Sequence, residues 1–191
     1  MTDDDVPTTV RILDAAERML QVRGYNGFSY GDVAQELGIT RAALHYHFKG
    51  KAELGEALIE RYATRFAAAL AALDETAPDA AAKLRGYAGL YLDVVTRDRM
   101  CLCGMLAAEY ATLPEPLQKS VSAFFDANTA WLRGVVEQGG TEGTLRPAGS
   151  PDDVAAMILG ALEGAMLITR LDGAAGRFSA AAERLVAGLV A

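Results

Sequence analysis

Cysteine and histidine, the residues that supply most thiol chemistry and metal ligation, are scarce in this sequence, with two of each among 191 residues. Cys101 and Cys103 lie too close together to staple distant elements, and they are too few for a secreted disulfide framework. His45 and His47 would point about 200° apart on a helix, whereas residues that share a metal ion on one helix are three or four apart. Neither histidine has a recognisable catalytic partner. We therefore expect no bound metal, no cofactor and no enzymatic activity.

The sequence also lacks a long apolar run and a targeting signal. Its longest apolar stretch, near Val154 to Ile168, is interrupted by Glu163 and is shorter than the roughly 18–20 residues that a membrane span needs. The chain opens with MTDDDVPTT and not with the basic residues and apolar core of a secretory signal. We expect a cytoplasmic protein that does not associate with membranes.

Negative charge predominates, but it is distributed unevenly along the chain. The formal net charge is −7, from 18 Lys and Arg against 25 Asp and Glu. Residues 1–7 carry a net charge of −3 and residues 67–191 a net charge of −5, whereas residues 8–66 carry +1. Because local charge decides what a surface binds, the overall acidity does not exclude nucleic acid as a partner of the N-terminal segment.

The alternation of β-branched residues that marks strands is nearly absent, whereas Ala, Leu, Glu and Arg recur at helical spacing throughout. This pattern predicts an all-α protein of about nine helices. Ser29, Thr40 and Ser150 are suited to cap helix N-termini, and Gly24 and Gly38 to end helices. The predicted helices are a first one between Thr9 and Gly24, then residues 30–37, 41–48, 51–73, 79–97, 100–112, 115–138, 151–171 and 177–190.

The second and third helices are short and are separated by a tight turn, as in a helix-turn-helix. At about 100° per residue, one side of the third helix carries Leu44, His47 and Phe48, and the other carries Arg41, Ala42, His45 and Tyr46. The second side suits a DNA major groove, where arginine can donate two bonds to guanine and small or aromatic groups can meet a thymine methyl. Lys49, Lys51 and the N-termini of the second and fourth helices would favour phosphate.

A longer stretch, ILDAAERMLQVRGYNGFSYGDVAQELGITRAALHYHFKGKAEL, resembles the DNA-binding domain of the TetR/AcrR family of bacterial repressors. The family pattern is an amphipathic helix ending in R-G-Y/F, a D/E-[VI]-A helix, G-[VI]-S/T, and then L-Y-Y-H-F-x-x-K-x-x-L. His45 departs from it, since the family commonly has Tyr or Phe there. The matching residues are Arg23-Gly24-Tyr25, Asp32-Val33-Ala34, Gly38-Ile39-Thr40, Leu44, Tyr46-His47-Phe48, Lys51 and Leu54.

The resemblance implies that two parts of the chain have different functions. Residues 1–50 would form an N-terminal tail and the DNA-binding domain, and residues 51–191 a larger helical domain that binds a small-molecule effector and forms a homodimer. The long fourth helix would join the two domains. Arg41, Ala42, His45 and Tyr46 would face the bases of a double-stranded operator, and Tyr30, Gly31, Thr40, His47 and Lys51 would lie at the phosphate backbone.

The segment RMCLCGMLAAEY places both cysteines at the start of the predicted sixth helix. Buried cysteines are most often small hydrophobic core residues. The segment also resembles a subgroup of the family with C-L-x-x-x-L-x-A-E, which includes a repressor that senses electrophiles through one cysteine. Cys101 matches that position, and a helix N-terminus can lower a thiol pKa. Core packing and a redox or electrophile switch at Cys101 and Cys103 both remain open.

Aromatic and sulfur-containing side chains recur at helical spacing in the C-terminal part of the chain. They fit either an ordinary helical core or an apolar ligand pocket, and Glu109 would be a polar anchor in the second case. The candidate pocket residues are Tyr87, Tyr91, Met105, Glu109, Phe124, Phe125, Trp131 and Met157.

Small residues line one side of the predicted eighth helix, at Ala156, Gly160 and Gly164. Small side chains let two helices approach closely, so this side is either a dimer interface or an internal packing face. The sequence therefore predicts a ligand-responsive DNA-binding regulator, most simply a homodimeric repressor with a palindromic operator. The alternative is a helical small-molecule-binding or protein-interaction protein that does not use DNA.

Overall fold

The computed structural model describes residues 6–191, and within that range the chain is all-α, which confirms the expected fold class. A short 3-10 turn, Tyr110–Thr112, follows the sixth helix. The only strand-like pairing within these residues is an isolated bridge between Leu145 and Val190. The helices are α1 (Thr8–Arg23), α2 (Tyr30–Glu36), α3 (Arg41–His47), α4 (Lys51–Thr76), α5 (Ala80–Val95), α6 (Leu102–Ala108), α7 (Glu115–Glu142), α8 (Pro151–Thr169) and α9 (Ala175–Ala187).

The predicted caps explain where several helices begin. Ser29 and Asp32 form a reciprocal capping box at the start of α2, in which each side chain accepts a bond from the other residue's backbone N–H. The hydroxyl of Thr40 accepts the N–H of Ala43 and opens α3. Ser150 caps α8, where Pro151 stands in the first turn and lacks the N–H that would have no helical partner. These starts were predictable because each depends on residues within one turn.

The end of α7 differs from the prediction. The sequence GGTEGTLRPAGSP suggested a loop from Gly139, but the helix continues through Gly139 and Gly140 to Glu142. At Gly139 an added Cβ would lie 2.4 Å from the side chain of Leu145 and 2.8 Å from that of Ala80. The glycine is therefore there for close packing. The chain leaves the helix at Gly143, whose φ of 73° is in the left-handed region that glycine adopts without strain.

The chain divides into two compact units. Of the described residues, the first unit takes in 6–64 and Leu102–Ser122, and the second takes in Arg65–Cys101 and Ala123–Ala191. Both α4 and α7 contribute a segment to each unit, and α6 belongs with α1–α3. The expected division of functions after residue 50 stays a prediction, because compact packing alone does not assign functions.

The first unit is built on α1. Ile12, Ala16 and Leu20 lie on its inner side and are fully buried, as are Leu44 on α3 and Leu106 on α6. At about 25 cal/mol per Å² of apolar surface, burial of each leucine contributes roughly 1.5–3 kcal/mol. Arg61 of α4 donates to the carboxylates of Asp14 and Glu17 on α1, at 2.8 and 2.6 Å, which fixes the first half of α4 on this core.

The second unit packs α5, α8 and α9 together. Tyr87 and Leu84 of α5, Leu162 of α8 and Phe178 of α9 are almost completely buried in it. Within residues 6–191, no helix has both the length and the apolar character needed to cross a membrane.

Candidate nucleic-acid interface

The turn between α2 and α3 has helix-turn-helix geometry. Gly38 adopts a φ of 64°, which glycine reaches without the penalty that a Cβ carries. The N–H of Ile39 donates to the carbonyl of Ala34 at 3.0 Å, so the last turn of α2 closes before the chain reverses. Thr40 then caps α3, which places its hydroxyl at the start of the candidate recognition helix.

The two sides of α3 differ in solvent exposure, as the helical spacing predicts. Leu44 and Phe48 are buried, whereas Arg41, Ala42 and His45 are exposed. Tyr46 is the most exposed of the set, with 80% of its surface accessible. An exposed aromatic of this size costs solvation energy unless a partner covers it, so this face has the character of a binding surface.

Arg41 does not project alone from this face. Its guanidinium lies against Gly31 in the first turn of α2, where an added Cβ would be 2.6 Å from Nη2. The structure therefore brings together one candidate base-reading residue and one candidate phosphate residue. Gly31 leaves the space that the arginine head occupies.

Two other candidate phosphate residues have partners within the protein. The hydroxyl of Tyr30 donates to the carbonyl of Phe48 at the end of α3. Nδ1 of His47 lies 3.0 Å from the hydroxyl of Thr9 on α1. Both contacts hold the C-terminal end of α3, so these two side chains orient the recognition helix whether or not they also touch phosphate.

Lys51 is held more tightly than the sequence indicates. Its ammonium donates to the carbonyls of Tyr25 and Phe28, both at 2.5 Å, and lies 4.4 and 4.6 Å from the centroids of their rings. Burial lowers the pKa of Lys51, and the carboxylates of Glu109 and Asp32 partly offset that effect. The expected role at phosphate thus competes with an internal role, which is to fix the segment between α1 and α2.

Lys49, two residues before Lys51, has few contacts within the protein. It is exposed, and its ammonium reaches the carbonyl of His45 only at 3.5 Å. Its own backbone N–H donates to Glu53 at 2.7 Å and so helps to begin α4. A lysine with one long internal bond can reach a phosphate at little cost.

Glu109 holds the turn between α1 and α2, a role that the sequence did not predict. Its carboxylate accepts the backbone N–H of Tyr25 at 2.5 Å and that of Asn26 at 3.2 Å. Gly24 has a φ of 80°, and a Cβ there would lie 2.9 Å from Oε1 of Glu109. The glycine is thus required both by its backbone angle and by the approach of the carboxylate, and Glu109 is not available as a pocket anchor.

An aromatic cluster lies in the second unit. Phe66 of α4 makes edge contacts with Tyr87, Tyr91 and Phe124, with ring centroids 5.3–6.1 Å apart. Trp131 stacks on Tyr87 at 5.5 Å, which is a favourable aromatic geometry. The structure therefore brings together four of the candidate pocket residues and adds Phe66.

Polar groups are buried beside these rings. The Tyr87 hydroxyl donates to Oδ1 of Asn128 at 3.2 Å and lies 3.3 Å from the hydroxyl of Tyr91. Burial raises the pKa of both tyrosines. Burial also raises the pKa of Glu163, although the neighbouring Cys101 thiol and Tyr91 hydroxyl act in the opposite direction. Oε1 of Glu163 is buried with no hydrogen-bond partner among the described residues.

Three of the other candidate pocket residues lie outside this cluster, and Phe125 lies at its edge. Met105 and Glu109 belong to the first unit, and Met157 is 47% exposed on α8, because helical spacing places it on the side away from the core. Phe125 is half-buried and contacts Phe124 edge-on. The sequence did not predict that Glu163 would lie near these rings, but it left a signal, because Glu163 is the one charged residue in the apolar stretch from Val154 to Ile168.

Both cysteines are buried, with exposures of 1% for Cys101 and 0% for Cys103. The Cys101 thiol lies near the carboxylate of Glu163 and acts to lower the pKa of that carboxyl. Reactive thiols usually lie in partly exposed, electropositive surroundings, so this environment favours core packing over the switch. Across residues 6–191, no three His, Cys, Asp or Glu side chains are grouped as metal ligands would be.

An exposed stripe runs along α8 on the side away from the buried Leu162. Ala156, Gly160 and Gly164 lie in it, and apart from the helix's own backbone no described atom comes within 4 Å of a Cβ added at either glycine. Neither glycine therefore packs against another described element of the same chain. The large apolar members of this stripe are Met157, Leu167, Ile168 and Leu171.

Comparison with known proteins agrees with this geometry. The family described as bacterial regulatory proteins, tetR family, matches residues 12–58. A second family model, tetracyclin repressor-like, C-terminal domain, matches residues 80–185. A crystal structure of a TetR-family transcriptional regulator from Agrobacterium tumefaciens superposes with a TM-score of 0.92 at 32% identity, covering 96% of this chain and 97% of that one.

Curated relatives match over different extents. The HTH-type transcriptional regulator TtgR of Pseudomonas putida is 42% identical over 53 residues, which are 28% of this chain and 25% of that protein. The transcriptional regulator AcuR of Cereibacter sphaeroides is 26% identical over 167 residues, covering 84% of this chain and 75% of that protein. Since a family model covers more than half of the chain and a solved relative aligns over nearly all of it, this protein is a member of the tetR family of bacterial regulatory proteins.

Proposed function

We propose that this protein is a homodimeric transcriptional repressor that binds a palindromic operator and is released from it by a small molecule. The observation that carries the proposal is the outward face of α3, where Arg41, Ala42, His45 and Tyr46 are exposed together on a helix held at both ends. Two such helices related by a two-fold axis would enter successive major grooves. A DNA-binding regulator acts where the DNA is, so its proposed location is the cytoplasm.

The proposed homodimer rests on α8. Its exposed stripe combines glycines with large apolar side chains, and a surface of that kind is usually covered by a partner. The proposed effector site rests on the aromatic cluster around Tyr87, where flat rings surround a few buried polar groups, as is common in small-molecule sites. For the effector to release the operator, it must bind the released conformation more tightly than the DNA-bound one.

The experiment that tests DNA binding is selection of bound fragments from genomic DNA, followed by titration of the recovered operator. Arg41→Ala should reduce discrimination between operator and mismatched DNA by about 1–3 kcal/mol, as expected for loss of a base-reading arginine. Exposed Arg133→Ala on α7 is the matched control, and it should bind as the wild type does. If Arg41→Ala discriminates as well as the control, Arg41 does not read bases.

The alternative is a helical protein that binds a small molecule or another protein and does not use DNA. Salt dependence separates the two proposals, because phosphate contacts make log K fall linearly with log salt concentration. If binding to any duplex is absent at low salt, the alternative is favoured.

A further inference from the structure

A cleft of about 120 Å³ opens in the second unit, between the turn that follows α5 and the C-terminal end of α8. We call it the Arg99 cleft. It is separate from the recognition helix, which belongs to the first unit, and the members of the aromatic cluster do not line it. The residues that line it on one side include Asp98, Arg99 and Met100, and those on the other include Thr169, Arg170 and Gly173.

The turn that carries Arg99 is held in place. The N–H groups of Arg97 and Arg99 both donate to the carbonyl of Val94 at 3.2 Å, and Asp98 adopts a φ of 55°. A non-glycine residue in the left-handed region is uncommon, although aspartate tolerates it better than most. Two residues after Arg99, the N–H of Cys101 donates to Sδ of Met166 at 3.0 Å, which ties the turn to α8.

The buried hydroxyl of Thr169 indicates that the cleft holds a ligand. The residue is 2% exposed, its hydroxyl oxygen is buried without a hydrogen-bond partner among the described residues, and it lines the cleft. Buried polar groups in folded proteins almost always have hydrogen-bond partners. A molecule bound in the cleft would supply the partner that the Thr169 hydroxyl lacks among the described residues.

The charge of the walls indicates what kind of molecule binds. Arg99 and Arg170 contribute two positive charges and Asp98 one negative charge, so the lining carries a net positive charge. Guanidinium groups match the planar geometry of carboxylates and the oxygens of phosphate, and a threonine hydroxyl can donate to either. We propose that the Arg99 cleft binds a small oxyanion through Arg99, Arg170 and Thr169.

The cleft is also separate from the exposed stripe of α8. Met166, Thr169, Arg170 and Gly173 are spaced by three or four residues and so lie along one side of the helix end. Gly160 and Gly164 point to the opposite side at about 100° per residue. A partner on the exposed stripe would thus leave the cleft side uncovered, and binding of an anion can be tested whether or not the protein is a dimer.

The test is titration calorimetry on the full-length protein with sodium phosphate and, separately, sodium succinate, each against sodium chloride at equal ionic strength. We expect one of the two oxyanions to bind selectively, and the stronger of them identifies phosphate or carboxylate as the favoured group. Thr169→Val and Arg99→Ala should each weaken binding by about tenfold or more, since each removes a donor to a charged ligand. Arg97→Ala is the control, because Arg97 is exposed in the same turn and does not line the cleft.

Thr169→Val keeps the side-chain shape and removes only the hydroxyl, so it should fold as stably as the wild type, and circular dichroism would verify this. The proposal is wrong if neither oxyanion binds more tightly than chloride at concentrations up to tens of millimolar. It is also wrong if Thr169→Val and Arg99→Ala bind the oxyanion as tightly as Arg97→Ala does. None of these measurements involves DNA, so their outcome is independent of the proposed regulatory function.

Discussion

Lys51→Ala tests whether this lysine fixes the segment between α1 and α2 or serves only as a phosphate contact. The substitution removes two charge-assisted bonds, to the carbonyls of Tyr25 and Phe28, and two cation–π contacts with their rings. Hydrogen bonds to a charged group contribute about 1.5–3 kcal/mol each and exposed cation–π contacts about 0.5–1 kcal/mol. The ammonium is only half-buried and water can replace part of these contacts, so we expect a net loss of about 2–4 kcal/mol.

The assay is equilibrium unfolding in urea, followed by circular dichroism. With an m-value of about 2 kcal/mol per molar urea, the expected loss lowers the midpoint by about 1–2 M. Lys49→Ala is the matched control, because Lys49 is an exposed lysine two residues away with a single long internal bond. Its midpoint should stay close to that of the wild type, since exposed substitutions usually change stability by less than about 0.5 kcal/mol.

DNA binding supplies the second measurement. If Lys51 also contacts phosphate, as the family resemblance implies, Lys51→Ala should weaken binding to all sequences alike and reduce the slope of log K against log salt by about 0.9 for each recognition helix. If its role is only internal, affinity falls with stability but the salt slope is unchanged. A Lys51→Ala protein that is as stable as the Lys49→Ala protein would refute the internal role.

Three further predictions concern the second unit. Gly160→Gln should leave the fold intact, because the added Cβ has no described atom within 4 Å apart from the helix's own backbone. The larger side chain should block close approach of two α8 helices and shift sedimentation toward monomer; an unchanged dimer would remove α8 from the interface. Burial raises the pKa of Glu163 above its ordinary value of 4.5, so the folded chain binds the extra proton between pH 4.5 and the raised pKa. Wild-type stability should therefore fall as pH rises through that window, whereas the stability of Glu163→Gln should not. The measurement is the melting temperature of both proteins at a series of pH values from about 4 to 8. If the two melting temperatures change with pH in the same way, the burial argument is wrong. Cys101 should react slowly with iodoacetamide in the native protein, because its thiol is buried beside a carboxylate; the electrophile switch is excluded if an electrophile releases wild type and Cys101→Ser from DNA equally.

Much of the first unit was predictable because its decisive features are local. Ser29, Asp32 and Thr40 cap helices with partners no more than three residues away. The exposed side of α3 follows from helical spacing alone, since Leu44 and Phe48 have to be buried and Arg41 and Tyr46 then point outward. A surface whose residues come from a single short helix can therefore be identified from the sequence.

The interactions that hold that helix depend on distant residues. Thr9 meets His47 and Glu109 meets Tyr25, pairs that are 38 and 84 residues apart in the chain. Periodicity cannot predict such pairs, because it states which side of a helix is buried and not which helix covers it. The same limit explains why Glu109, which has the composition of a pocket anchor, instead holds a turn of the first unit.

The sequence by itself determined the all-α class, most helix starts, the outward side of α3 and the family, because these depend on short-range spacing and on a contiguous motif. Only the tertiary structure decided that α7 continues through Gly139, that Met157 faces outward and that a carboxylate oxygen of Glu163 is buried. It alone also brought Arg99 and Thr169, 70 positions apart, to the walls of one cleft. Burial and charge at a given point are set by every element that packs there, and that information is not local to any stretch of the chain.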